Sequence, residues 1–127
     1  MMKDKYRFLV AGVLIIVVMA IIFFYRSFSP SVSGPELISI VLTADGFKPN
    51  QVTIPLGSTI VFSTNVDRPF WPASNLHPSH EQYSDFDPLK PIPPGETWSF
   101  TFLKAGEWNM HDHIRSYYTG TIYVTPE

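Results

Sequence analysis

In a series of short runs between Leu37 and Thr125 the apolar residues recur at every second position, and that period decides the fold class. In ETWSFTF (96–102), Trp98, Phe100 and Phe102 fall on one face, with Thr97, Ser99 and Thr101 on the other. Successive side chains of a strand point to opposite faces, so this is the signature of a half-buried β-strand. The same reading applies to LISIVLT (37–43), FKPNQVTIP (47–55) and STIVFST (58–64). It applies again to EWNM after Gly106, and to TGTIYVT (119–125), where Ile122 and Val124 share a face. Glycine, proline and asparagine bound these runs, and no helical period appears among them. Six or so short strands without helices predict an all-β sandwich over residues 37–127.

Residues 65–95 break the pattern. The segment NVDRPFWPASNLHPSHEQYSDFDPLKPIPPG has no sustained period and is rich in proline. Connections longer than about 15 residues are uncommon unless functional or disordered. Phe70, Trp71, Tyr83 and Phe86 are too many aromatics for a disordered stretch, so an ordered functional loop with a packed underside is expected.

The N-terminus is of another kind. FLVAGVLIIVVMAIIFFY (8–25) is unbroken by charge. As a helix it rises about 27 Å, enough to cross a hydrocarbon core. Lys3, Lys5 and Arg7 precede it and Arg26 follows. The excess of basic residues puts residues 1–7 in the cytoplasm, 8–25 in the membrane as a transmembrane helix, and the remainder outside. Residues 26–36 read as a Ser/Pro/Gly linker. A cleaved signal peptide is the rival reading, but Phe23, Phe24 and Tyr25 stand where small residues would be needed.

Net charge is −2 with signs interspersed, so nothing points to nucleic acid. Cysteine is absent, which excludes disulfides, thiol catalysis, iron–sulfur clusters and thiolate-ligated metals. The four histidines all lie in two pairs: His77 and His80 in HPSH, His111 and His113 in HDH. An H-x-H on extended backbone puts both imidazoles on one side and Asp112 on the other. Imidazole is a ligand for copper and zinc, and two tight pairs can supply a four-nitrogen metal site. Glu81, Asp85 and Asp87 follow HPSH and can either hold a ligand imidazole from behind or merely solvate the loop, the latter being favoured. Met110 suits the core better than an axial position. The spacing of Ser63, Ser74 and Ser79 suggests no triad with a histidine, and there is no phosphate-binding glycine loop.

GFKPNQVTIPLGSTIVFSTN, PGETWSFTF and GEWNMHDH followed by TGTIYV resemble the cupredoxins, copper-binding β-sandwiches, over about residues 46–125. The resemblance implies an eight-stranded or similar Greek-key sandwich with the metal at one end. It implies ligands from the loop after the N-terminal half, where His77 and His80 lie, and from the loop before the last strand, where His111 and His113 lie. The chain departs from blue-copper members in having no cysteine, and the place of their first histidine falls near Phe70 or Trp71. The expectation is a membrane-anchored, extracytoplasmic copper protein for copper handling or electron transfer, with zinc as the other candidate ion. Its expected partners are the metal, the membrane, and a redox or copper-transfer protein. The alternatives are a metal-free module that docks a partner through loop 65–95, and a metalloenzyme with an open coordination position.

Overall fold

The computed structural model describes residues 2–27 and 37–126, with side chains described for 12–25 and 37–126. Internal contacts divide the chain into two units, Met1–Ser33 and Gly34–Glu127. The first holds one helix, α1 (Met2–Ser27). The expected membrane span, 8–25, is helical throughout, but residues 8–11 lie outside the described side chains. Among the described residues, no helix is long and apolar enough to cross a membrane. The expected linker lies outside the described residues from 28 to 36.

The second unit is built from eight strands among its described residues. They are β1 (Leu37–Thr43), β2 (Gly46–Lys48), β3 (Gln51–Pro55), β4 (Thr59–Thr64), β5 (Pro72–Ser74), β6 (Trp98–Thr101), β7 (Gly106–Asp112) and β8 (Arg115–Thr125). One sheet has the order β2-β1-β4-β6 and the other β3-β8-β7-β5. β1 and β4 run parallel, as do β3 and β8, because the chain crosses repeatedly between the sheets.

The alternating residues meet between the sheets. Ile40, Leu42, Ile60 and Phe62 from the first sheet join Ile54, Met110, Ile122 and Val124 from the second in one buried cluster. Area removed from water contributes about 25 cal/mol per Å², so these residues drive the closure of the two layers. Met110 is buried in this core, its methyl against Gly120. It is therefore a packing residue.

The run 47–55 is two strands and not one. Pro49 has no N–H for a ladder, and the chain leaves the first sheet at Lys48 and enters the second at Gln51. Asn50 ties the crossing to β8 by accepting from the Thr121 N–H at 2.9 Å.

The 65–95 segment is ordered. At its base Phe70 and Ile92 exchange backbone hydrogen bonds of 3.0 and 2.8 Å. β5 and a 3-10 turn at Glu81–Tyr83 add regular structure, and the Ser74 hydroxyl accepts the Tyr83 N–H at 2.7 Å. Phe86 is fully buried and stacks on Trp98 at 5.7 Å, with Phe62, Phe100 and Phe102 around it. The loop's aromatics thus close one end of the core, and its histidines are held on top of that packing.

Candidate metal centre

β5 pairs with β7 so that Ala73 faces His111 across the ladder. This short strand brings the long loop beside the histidine strand. His111 lies within β7 and not in the loop after it; only His113 is in the turn to β8. The β7–β8 register shifts between His111 and Asp112. The His113 N–H donates to the Trp71 carbonyl at 2.7 Å, which fixes the turn. Asp112 points away from the histidines, fully buried, and accepts from the Trp71 N–H and Arg115 Nε, both at 2.8 Å.

All four histidines converge. One ring nitrogen from each lies within 4.8 Å of the other three. His77 Nδ1 is 3.1 Å from His111 Nε2, and His80 Nε2 is 2.8 Å from His113 Nδ1. His80 and His111 are buried, His113 is half-buried and His77 is exposed. The remaining nitrogens of the two buried rings have partners on the far side. His80 Nδ1 meets Asp87 Oδ2 at 2.6 Å, and His111 Nδ1 meets Asn75 Oδ1 at 3.0 Å. Both partners accept, so both rings carry their proton on Nδ1 and turn the Nε2 lone pair inward. The donor set that follows is His77 Nδ1, His80 Nε2, His111 Nε2 and His113 Nδ1. In the metal-free arrangement His77 and His113 donate N–H to those lone pairs, so metal entry requires these two rings to carry their proton on Nε2 instead.

Asp87 is built into the site. Its Oδ1 accepts from Trp71 Nε1 at 2.8 Å and from the Leu89 N–H at 2.7 Å. Burial pushes its carboxyl up, but the Leu89 N–H, His80 and Trp71 together outweigh burial and hold it below the ordinary 3.8. His80 and Leu89 are the non-glycine residues with positive φ among the described residues, 54° and 62°. Left-handed backbone is costly for side-chain-bearing residues and gathers at functional sites. Here it occurs on both sides of the Asp87–His80 pair. The solvating role expected for the acids holds for exposed Glu81, and for Asp85, which meets Lys104 at the surface. It fails for Asp87. Asn75 carried no signal in the sequence, because an amide in a loop reads as a turn residue.

Burial and charge favour the neutral ring at His111 and His113. Burial, then the repulsion of His80, His77 and His113 when charged, lowers His111 to about 4 from the ordinary 6.5. Burial, His80 and His77 lower His113 as well. Between pH 4 and 6.5 the unfolded chain therefore binds more protons at His111 than the folded one. Metal-free stability rises with pH across that window, is complete above it, and is lost on acidification through it. His111 alone contributes up to about 3 kcal/mol to that slope. Urea unfolding of the metal-free domain at about pH 4.5 and about pH 7.5 measures it, and equal stabilities would reject the assignment.

Four converging imidazoles, two of them held from behind, fit a borderline transition ion such as copper or zinc. The described residues contribute no thiolate, in keeping with a chain that has no cysteine.

The sandwich fold has counterparts. The cupredoxin-like domain family matches residues 13–124, and the chain belongs to it. Among solved structures it is similar to a purple cupredoxin from Nitrosopumilus maritimus. That match has a TM-score of 0.60 and 18% identity, and covers 69% of this chain and 99% of the other. A copper-containing nitrite reductase from Thermus scotoductus aligns with a TM-score of 0.58 and 21% identity over 72% of this chain, but only 23% of its own. A mutant amicyanin in its reduced Cu(I) form aligns with a TM-score of 0.59 and 13% identity, covering 77% of this chain and 90% of the other. Comparison with curated protein sequences gives no match.

Proposed function

We propose that this domain binds one copper ion through His77, His80, His111 and His113, for copper handling or electron transfer outside the cytoplasm. The convergence of four imidazole nitrogens within 4.8 Å carries the reading. An all-nitrogen set suits Cu(II), which stands at the top of the divalent affinity order. Bound copper would supply a one-electron couple. The protein's own part is to hold His111 and His113 neutral, fix the tautomers of His80 and His111, and shield His80 and His111 from bulk water. His77 stays exposed and is the edge through which an ion or a partner protein would reach the site.

The membrane anchor belongs to the same proposal. Its support is the charge-free run 8–25 and the basic residues Lys3, Lys5 and Arg7 before it. Residues 1–7 would be cytoplasmic and the sandwich would face the periplasm or the cell exterior.

A metal-free docking module is the competing reading. It has less to stand on, because Phe70, Tyr83 and Phe86, three of the loop's four aromatics, are buried in the core. An enzyme with an open coordination position would need a substrate site that no described group identifies.

The test is elemental analysis of residues 34–127 purified without affinity histidines, together with the Cu(II) paramagnetic resonance spectrum. The expected result is one copper per chain, several nitrogen couplings and no thiolate charge-transfer band. Zinc alone would keep the site and remove the redox role. No metal after copper addition would reject the proposal.

A further inference from the structure

Trp71 touches both halves of the histidine cluster. Its indole N–H donates to Asp87 Oδ1 at 2.8 Å, and the other oxygen of that carboxylate holds His80 at 2.6 Å. Its ring lies against His113, with centroids 4.4 Å apart and planes 33° from parallel. Its carbonyl receives the His113 N–H at 2.7 Å, and its own N–H reaches Asp112 at 2.8 Å. His80 and His113 are contributed by different segments, and they meet at 2.8 Å. One residue therefore braces one ring from behind through a carboxylate and covers the face of the other.

We infer that Trp71 is a positioning residue that sets the mutual orientation of His80 and His113 before a metal arrives. A carboxylate with one hydrogen bond to imidazole can swing about its Cβ–Cγ axis. The indole N–H and the Leu89 N–H occupy Oδ1 and stop that rotation, so Oδ2 stays aimed at His80 Nδ1. Groups that orient a ligand from behind change metal affinity about 10–100-fold when altered. Stacking against a flat ring restricts rotation of His113 in the same way. These two side-chain contacts separate cleanly from the two backbone contacts, which survive any substitution other than proline. Trp71→Phe keeps a flat ring over His113 and loses the donor to Asp87. Trp71→Leu loses both.

This inference rests on the histidine cluster as a metal site, but its first readout needs no metal. In the metal-free domain, nitrogen-15 correlation spectra of the histidine rings report which nitrogen carries the proton. The native chain is expected to show a single Nδ1–H form for His80. Trp71→Phe is expected to show a mixture of tautomers, and Trp71→Leu to add a loss of the ring-current shift on His113. Cu(II) titration should then weaken about tenfold in Trp71→Phe and further in Trp71→Leu.

A cycle with Asp87→Asn separates positioning from general loosening. If Trp71 acts through Asp87, the two substitutions together weaken copper binding less than the sum of their separate effects. Full additivity, or native tautomers and native affinity in Trp71→Phe, would overturn the inference. If the native chain takes no copper, the metal reading fails. The tautomer spectra then decide alone, and an unchanged His80 signal in Trp71→Phe overturns the positioning role.

Discussion

His111→Ala is expected to abolish tight copper binding while leaving a folded sandwich. Four-ligand structural zinc sites bind with about 10–16 kcal/mol, so one of four nitrogens carries about 3–4 kcal/mol, on the order of a hundred- to a thousandfold in affinity. Thermal unfolding makes the loss visible. A native-state ligand at a thousandfold excess over its Kd stabilises by about 4 kcal/mol, and at an excess of one by only about 0.4. For a domain of this size each kcal/mol moves Tm by about 4–8 °C, so copper should raise the native Tm by about 15–30 °C and barely move the variant's. His111 is the ligand to choose because its buried ring is also the one pushed down to about 4. In the metal-free state its removal deletes a group that opposes folding in acid. The variant should therefore lose copper stabilisation at neutral pH and much of the native protein's acid sensitivity. A copper-dependent Tm shift equal to that of the native chain would sink the four-histidine assignment.

The parts of the fold legible in the sequence are those that rest on local alternation. Trp98, Phe100 and Phe102 share a face because strand side chains alternate, and no distant residue can change that. Strand pairing is different. Nothing local in 47–55 says that Lys48 and Gln51 belong to opposite sheets, and only the missing N–H of Pro49 hints at the break. The site divides along the same line. Four histidines in two close pairs are conspicuous because histidine is scarce in this chain, whereas their meeting depends on β5 pairing with β7, a strand of three residues. The groups behind the rings carry the least local signal. Asp87 looks like Glu81 and Asp85 in sequence and differs from them in meeting His80 and in receiving the indole of Trp71, 16 positions away, and the N–H of Leu89.

Asp112→Ala is expected to cost about 3–5 kcal/mol of stability, although this aspartate stands between two metal-site histidines. Its carboxylate has no exposure and accepts from Arg115 Nε and the Trp71 N–H, both at 2.8 Å. Arg115 is itself mostly enclosed, and its Nη2 donates to the Pro69 carbonyl at 2.7 Å. Removing the carboxylate leaves a guanidinium charge without its counter-charge and a backbone N–H without an acceptor. Against a typical total of about 5–15 kcal/mol, that loss leaves a small domain barely folded. Urea unfolding of the metal-free protein measures it. Asp112→Ala with Arg115→Met should be less destabilised than Asp112→Ala alone, since the stranded charge is gone. A loss below about 1 kcal/mol in the single variant would show that the pair is solvated. The histidines of HDH then have a reason for their spacing that is independent of any metal: the residue between them faces the other way and ties the β7–β8 turn to the segment carrying Trp71. Folded Asp112→Ala should accordingly keep all four nitrogens and still take copper, in contrast to His111→Ala, which keeps the fold and loses the ion.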